Sequence, residues 1–237
     1  MIKKEKKANK EEMSRVFEFH FNPLKDKGSG VIFNTFCSLQ RKKELYMIGE
    51  ADKHEFLEEV SEVFKSFDFE KALIEANDLL QRNFSSHLSF CSFCLYPNLE
   101  INVSKIGNIK ILLLRDNEVF DMTSEMTESN LFPNVLEGRL KKHDKVLILT
   151  NNVFKAFKEQ NILEELATIK KPKQVKQLFK EKKQLLKEFS GACILSFCKK
   201  RIVFKKRQKA PYKGLEKGII SVLVFIILLL LGYIFFK

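Results

Sequence analysis

Hydrophobic and polar residues alternate with a period of two in a short stretch near the start of the chain. In RVFEFHFN, which begins at Arg15, Phe17, Phe19 and Phe21 alternate with polar residues, a pattern typical of a half-buried strand. The stretches VIFNTFCSL and ELYMIG (Glu44–Gly49) follow, each after a turn-rich or polar segment. Three predicted strands in succession indicate an antiparallel meander.

Apolar residues recur at intervals of three and four after Asp52, which predicts two amphipathic helices, the second over Phe69–Leu80. Glutamates fill the other face of the first helix, and we interpret them as solvated charges rather than metal ligands. Four strand patterns separated by turns come next and predict a four-stranded antiparallel meander over Ser86–Tyr96, Leu99–Ile106, Ile109–Leu114 and Glu118–Met122.

The last third of the domain again contains both strand patterns and helical spacings. KVLILT, Lys145–Thr150, predicts an apolar strand that runs directly into a helix beginning at Asn151-Asn152. Helical spacing over Ile162–Ile169 and Lys173–Phe189 is followed by a short closing strand, Ala192–Phe197.

The run Gly218–Phe236, GIISVLVFIILLLLGYIFF, contains no charged side chain. As a helix it is about 28 Å long, close to the thickness of the hydrocarbon core of a bilayer. It therefore predicts a single C-terminal transmembrane helix, which would make this a tail-anchored, single-pass membrane protein.

Positive charge is concentrated just before this run. Residues 199–217 contain nine Lys or Arg against the single acid Glu216, and they account for most of the chain's net charge of +12. The central basic residues of this collar are Lys199, Lys200, Arg201, Lys205, Lys206, Arg207 and Lys209. Because positive charge stays on the cytoplasmic side, the N-terminal domain is expected in the cytoplasm, with the collar on anionic lipid. No known nucleic-acid-binding motif is recognisable in the sequence, so nucleic acid is not an expected partner.

These patterns predict four parts of the chain: a polar leader (1–13), one domain (14–198), a basic juxtamembrane linker (199–217) and the span (218–236). The leader has no apolar stretch, so no signal peptide is expected.

The five cysteines are Cys37, Cys91, Cys94, Cys193 and Cys198. Their odd number and irregular spacing indicate reduced, structural residues. Cys91 and Cys94 form a CxxC, but positions three apart on a strand face opposite ways.

Four segments together resemble the PPM/PP2C-type metal-dependent protein phosphatases. The segment that begins SKIGNIK at Ser104 and continues ILLLRDNEVFDMT resembles the family's Val-Gly-Asp-Ser-Arg strand pair. Leu136–Asn152, which ends in LTNN, resembles the strand leading to Thr-Asp-Gly, while LYMIGEA and SGACILSF resemble the Asp-Gly and closing Asp-Asn motifs. The resemblance implies an α+β fold, a four-layer α/β/β/α sandwich of two antiparallel sheets flanked by helices.

The chemistry that the resemblance implies needs carboxylates, because the family holds two Mg²⁺ or Mn²⁺ ions that activate water for attack on phosphorus. At the matching positions this chain has Glu50, Asn151 and Ser190, and Asp26 is the only acid near the place of the family's first acidic motif. Asn151 and Ser190 are neutral. A binuclear centre is therefore not expected, and no catalytic residue or cofactor is assigned. No other catalytic motif is present; His20 and His87 lie on strand patterns and are interpreted as structural.

The sequence leads to a pseudophosphatase hypothesis: a catalytically silent domain on the cytosolic face of a membrane, acting as a binding or regulatory module for a protein partner. One alternative is an active Ser/Thr phosphatase with an unusual Mn²⁺ or Mg²⁺ site built from Asp26 and Glu50. Another is a membrane tether that recruits nothing specific.

Overall fold

The computed structural model describes residues 14–21, 32–40, 43–82, 88–124, 126, 129–133 and 135–199. All of them belong to one compact unit, Met1–Arg201. The strands are β1 Ser14–Phe21, β2 Ile32–Gln40, β3 Lys43–Ala51, β4 Leu88–Leu95, β5 Glu100–Ile106, β6 Ile109–Arg115, β7 Glu118–Asp121, β8 Leu136–Arg139, β9 Lys145–Thr150 and β10 Gly191–Cys198. The helices are α1 His54–Ser66, α2 Phe69–Arg82, α3 Asn151–Glu159, α4 Ile162–Thr168, α5 Pro172–Glu181 and α6 Lys183–Leu186.

These strands form two five-stranded sheets in which every neighbouring pair is antiparallel. Sheet I has the order β1-β10-β9-β6-β7, and sheet II has the order β2-β3-β4-β5-β8. The chain moves between the sheets four times, after β1, β5, β7 and β8. Residues distant in sequence are consequently brought to the same ends of the two sheets.

Three apolar clusters define four layers. One lies between the sheets and includes Ile48 of β3 and Ile148 of β9. A second joins the outer face of sheet I to α3, α4, α5 and α6, and a third joins the outer face of sheet II to α1 and α2. The predicted α/β/β/α sandwich of two antiparallel sheets flanked by helices is therefore present. The alternation in β1 is confirmed, because Phe17, Phe19 and Phe21 all belong to the helix-facing cluster.

Both predicted meanders are wrong in their pairing. β2 and β3 pair with each other, but β1 pairs with β10 in the other sheet. Likewise β5 pairs with β4 and β8, while β6 pairs with β9 and β7. The turn at Gly107-Asn108, which the sequence suggested as a hairpin, instead crosses from sheet II to sheet I. Nearly all side chains of β5 and β6 are buried or half-buried, because each strand is covered by the opposite sheet on one face and by helices or loops on the other.

The helical stretch predicted over Lys173–Phe189 is divided. Lys182, at φ −82° and ψ 4°, separates α5 from α6. Leu186, after the break, still reaches the cluster that α5 covers. The short strand β8 was part of the family resemblance rather than of the strand pattern, and it forms the edge of sheet II.

Several predictions fall on parts of the chain that the structure does not describe. They are the polar leader, Asp26, His87, the side chain of Cys37, the basic collar from Lys200 onward and the span Gly218–Phe236. Within the described ranges, no helix has the length and apolar character needed to cross a bilayer.

Candidate functional site

Glu50, Asn151 and Ser190 each lie where a strand ends or begins. Glu50 is the last residue but one of β3, Asn151 follows β9 directly as the first residue of α3, and Ser190 immediately precedes β10. Because β9 and β10 are antiparallel neighbours, the last residues of β9 and the first residues of β10 lie side by side at the same end of sheet I. Asn151 and Ser190 are therefore brought together by the sheet itself.

A close approach at Gly191 tightens this junction. The Gly191 backbone has φ +138°, and a Cβ there would lie 2.3 Å from Thr150 Oγ1 and 2.8 Å from Val153 Cγ2. The Thr150 hydroxyl does not cap α3; instead it accepts a hydrogen bond of 3.3 Å from the Ala192 N–H. Only glycine fits this position without strain, so the meeting of β9 and β10 requires Gly191 as the first residue of the closing strand.

The turn between β5 and β6 brings Glu50 to the same end of the sandwich. Glu50 is paired across β3 and β4 with Ser89, and the Ser89 Oγ accepts a hydrogen bond of 3.2 Å from the Asn108 N–H. The next residue, Ile109, is paired with Thr150, which precedes Asn151. The structure thus places all three residues at one end of the two sheets, which we call the ligand-position end.

The Glu50 side chain lies on the face of β3 that looks toward sheet I. Ile48 and Tyr46, two and four positions earlier, belong to the cluster between the sheets, and side chains two apart on a strand share a face. Glu50 is half-buried. Its carboxylate is therefore the one acidic group that the three positions direct into the space between the sheets.

Sequence reasoning missed a polar bridge between the sheets. His20 of β1 makes a hydrogen bond of 2.8 Å to the Thr35 hydroxyl of β2 through Nε2, and the Thr35 hydroxyl donates to Glu18 Oε2 at 3.3 Å. His20 is paired with Ala192 in sheet I, whereas Thr35 is paired with Ile48 in sheet II. The alternation in RVFEFHFN placed Glu18 and His20 opposite the phenylalanines, but it gave no sign that β1 and β2 lie in different sheets.

The donor set at the ligand-position end does not fit a pair of divalent ions. Mg²⁺ and Mn²⁺ are held mainly by carboxylate oxygens, and of the three matching positions only Glu50 supplies one. Asn151 offers a neutral amide and Ser190 a hydroxyl. Across the part of the chain that the structure describes, no three His, Cys, Asp or Glu residues are grouped so as to hold a metal ion.

The CxxC pair is placed as the strand pattern predicts. Cys91 belongs to the cluster between the sheets and Cys94 to the cluster under α1 and α2, so the two sulfurs lie on opposite faces of β4. Burial raises the pKa of Cys94 to about 12 and raises that of Cys91 as well. Neither thiol is ionised at neutral pH, and they do not form a joint metal or redox site.

Comparison with known proteins gives similarity at the level of structure only. No protein-family profile matches this chain, and no curated protein matches its sequence. Solved structures do match. The PP2C phosphatase domain of SpoIIE from Bacillus subtilis, solved with a fragment of its regulatory domain, superposes with a TM-score of 0.59 at 12% identity, covering 78% of this chain and 63% of that one.

Two further matches extend over almost the whole of the other protein. RsbX, solved in complex with magnesium, gives a TM-score of 0.61 at 13% identity over 81% of this chain and 98% of that one. The catalytic domain of the serine/threonine protein phosphatase PstP, solved with 2 manganese ions, gives 0.53 at 10% identity over 78% and 98%.

This chain has the PP2C phosphatase fold. The fold predicted from the resemblance is therefore confirmed, although identities of this size show the fold alone. In this PP2C-like domain the ligand-position end contains the Gly191 junction and the β5–β6 crossing.

Proposed function

We propose that the chain is a PP2C-like domain that does not hydrolyse phosphoesters and acts as a membrane-anchored binding or regulatory module. The observation that carries this proposal is the ligand-position end, where the strand ends meet but, of the three matching positions, only Glu50 is acidic. A folded domain of this kind can present a binding surface to a partner. The side chains at Glu50, Asn151 and Ser190 include only one carboxylate, which is too few to hold two metal ions.

Charge balance is the physical reason. Two divalent cations bring four positive charges into a partly buried site, and Glu50 offers one negative charge against them. Another carboxylate on the described strands, that of Glu18, shares a hydrogen-bonded bridge with Thr35 and His20. Recruiting Glu18 to a metal would remove the hydrogen bond that it accepts from Thr35 and would leave the bond between Thr35 and His20 as the link between the sheets.

The anchoring part of the proposal rests on the sequence. The 19-residue apolar run and the collar before it support a single span with the domain on the cytoplasmic face. The collar lysines and arginines would lie on anionic lipid. The partner proposed for the exposed domain is another protein, recognised through a surface rather than through a reaction.

A turnover assay tests the silent state directly. The full chain in mild detergent is incubated with Mn²⁺ or Mg²⁺ and p-nitrophenyl phosphate, and then with a phosphoserine peptide. We expect no release of product above that of the buffer. Glu50→Ala is compared with Glu55→Ala, a matched loss of an exposed glutamate on α1.

Metal-dependent turnover that disappears in Glu50→Ala and persists in Glu55→Ala would overturn the proposal. It would establish the second candidate, an active phosphatase whose site uses Glu50 with Asp26. The orientation of Glu50 toward the space between the sheets is the observation that favours this candidate. Turnover unaffected by Glu50→Ala would indicate a contaminating phosphatase.

A further inference from the structure

The end of the sandwich opposite Glu50 is built around the last residue of β10. The His143 N–H donates a hydrogen bond of 3.3 Å to the Cys198 carbonyl, and the Cys198 N–H donates one of 2.9 Å to the Asp144 carbonyl. The loop between β8 and β9 is therefore fixed beside the point at which the chain leaves the sheet. Lys141 and Lys142 are exposed in this loop.

A second loop is fixed at the same place. Lys145, the first residue of β9, is paired with Phe197 near the end of β10. Its ammonium group donates a hydrogen bond of 2.7 Å to the Ile169 carbonyl. The connection between α4 and α5 is thereby held at this end of sheet I, and it carries exposed Lys170 and Lys171.

These loops and the exit of β10 together form what we call the basic end. Its members are Lys141, Lys142, Lys170, Lys171 and Lys199, all of them exposed. None of the five makes an ion pair with another residue in the described ranges.

The acidic groups of this region do not neutralise the basic end. The Asp144 carboxylate is buried and takes two hydrogen bonds from Arg115, of 3.0 Å and 2.6 Å. Exposed Asp116 and Glu118, in the β6–β7 hairpin, and exposed Glu100, at the start of β5, also lie at this end. The five lysines outnumber these three acids, so the basic end presents an excess of positive charge to solvent.

We propose that the basic end binds the anionic headgroups of the membrane that anchors the chain, so that the ligand-position end faces away from the bilayer. This inference rests on the proposed anchoring. Lys199 begins the collar, and the 19 residues of the collar reach at most about 65 Å when fully extended. A tether of that length keeps the basic end at high effective concentration next to the lipid surface. Lysine is suited to this role, because each compact ammonium held near an anionic leaflet adds to the attraction without needing a shaped partner.

Lysine acetylation on the full chain tests the orientation. The protein is reconstituted in nanodiscs of phosphatidylcholine alone, or in nanodiscs that also contain about a third phosphatidylserine. It is then acetylated briefly, and mass spectrometry measures the acetylation rate at each lysine. We expect Lys142 and Lys171 to react several-fold more slowly in the anionic discs. Lys53, two residues after β3, and Lys187, three before Ser190, are exposed near the other end and should react at equal rates in both.

Two matched variants separate the basic end from general charge. In Lys142→Gln/Lys171→Gln, we expect Lys141 and Lys170 to regain in anionic discs most of the rate measured in zwitterionic discs. Lys53→Gln/Lys187→Gln removes the same charge from the other end and should leave Lys141 and Lys170 slow. Equal rates in the two lipids for an anchored chain overturn the inference and leave the anchoring intact.

Carbonate extraction of the same chain from vesicles tests the anchoring separately. Release of the chain by carbonate overturns the anchoring and this inference with it. If the basic-end lysines are slowed by added polyglutamate in zwitterionic discs but not by anionic lipid, the surface binds an acidic protein and the assignment to lipid is wrong.

Discussion

Gly191 is the residue at which β10 comes closest to the end of β9. We expect Gly191→Ala to lower the free energy of unfolding by about 3 kcal/mol, because a methyl group would clash with Thr150 Oγ1 and the backbone would be strained at φ +138°. Urea unfolding of the full chain in mild detergent, followed by circular dichroism, measures the change.

Gly138 of β8 supplies the control for this substitution. A Cβ at Gly138 would lie 3.6 Å from Ile101 side-chain atoms, an ordinary contact, so Gly138→Ala should change stability by less than about 0.5 kcal/mol. Equal costs for the two substitutions would contradict the close approach at the Gly191 junction.

Lys145 is a buried ammonium that closes the end of α4. Its Nζ donates hydrogen bonds of 2.8 Å, 2.6 Å and 2.7 Å to the carbonyls of Leu166, Ala167 and Ile169. Lys145→Met removes these charged hydrogen bonds and should cost about 2 to 3 kcal/mol at pH 7. Urea unfolding of the variant and the wild type at this pH gives the difference.

The same residue gives stability a defined pH dependence. Burial lowers the pKa of Lys145 to about 8 from an ordinary 10.5, although the three carbonyl acceptors favour the charged form. Between these two pH values the unfolded chain binds more protons than the folded chain, so wild-type stability rises with pH relative to Lys145→Met. Unfolding curves at pH 7.5 and pH 9.5 check the sign. A difference between the two proteins that shrinks at the higher pH would contradict this assignment.

Phe179 fixes helix α5 to sheet I. Its ring stacks on Phe19 with the centroids 4.1 Å apart, and it also contacts Phe21 and Phe157. Phe179→Ala should cost about 3 to 5 kcal/mol through the cavity it leaves. Amide exchange should accelerate most in α5, whereas α1 and α2, which pack on the other sheet, should respond only to the global loss of stability.

Leu185 of α6 provides a comparison on the neighbouring helix. It is 40% exposed, so Leu185→Ala should change stability by no more than about 0.5 kcal/mol. If Phe179→Ala were equally mild, the aromatic cluster would not be what holds α5 in place.

At the scale of strands and helices, the sequence was a good guide to local structure and a poor guide to pairing. Alternation identified β1, and short apolar runs identified β3 and β9, because β1 buries alternate side chains while β3 and β9 bury nearly all of theirs. The partners of a strand depend on the chain's path between sheets, and a turn such as Gly107-Asn108 has the same composition whether it closes a hairpin or crosses to another sheet. Gly107 has φ +63° and lies against Ser89, and that contact shows only in three dimensions.

The candidate site likewise contains residues that short sequence motifs could identify and contacts that depend on strand pairing. Glu50, Asn151 and Ser190 could be named from short motifs, because each motif is continuous in sequence. The bridge formed by Glu18, His20 and Thr35 could not be named, since it joins two strands that the predicted meander had placed in one sheet. Knowledge of the β1–β10 pairing was needed to find it.

The whole molecule has two chemically different ends. One end brings together the three positions that match metal ligands in the resemblance, of which only Glu50 is acidic, and the other end carries exposed lysines around the end of β10. If the second end lies on lipid as proposed, the first is the part of the domain most accessible to a protein partner. The polar bridge between β1 and β2 is hydrogen-bonded within the protein itself, so the fold does not depend on ions to join its sheets there.

A thermal shift experiment tests this independence from metal at the scale of the molecule. An ion that binds only the folded state at a hundred times its Kd adds about 2.7 kcal/mol of stability, which corresponds to roughly 5 to 10 °C for a domain of this size. We expect millimolar Mn²⁺ or EDTA to leave the Tm of the full chain unchanged, because Glu50 alone cannot compensate the charge of the ions. The catalytic domain of PstP, solved with 2 manganese ions, serves as the positive control. A rise in Tm with Mn²⁺ that is lost in Glu50→Ala and kept in Glu55→Ala would show that the ligand-position end binds metal, and the active-phosphatase alternative would then replace the silent module.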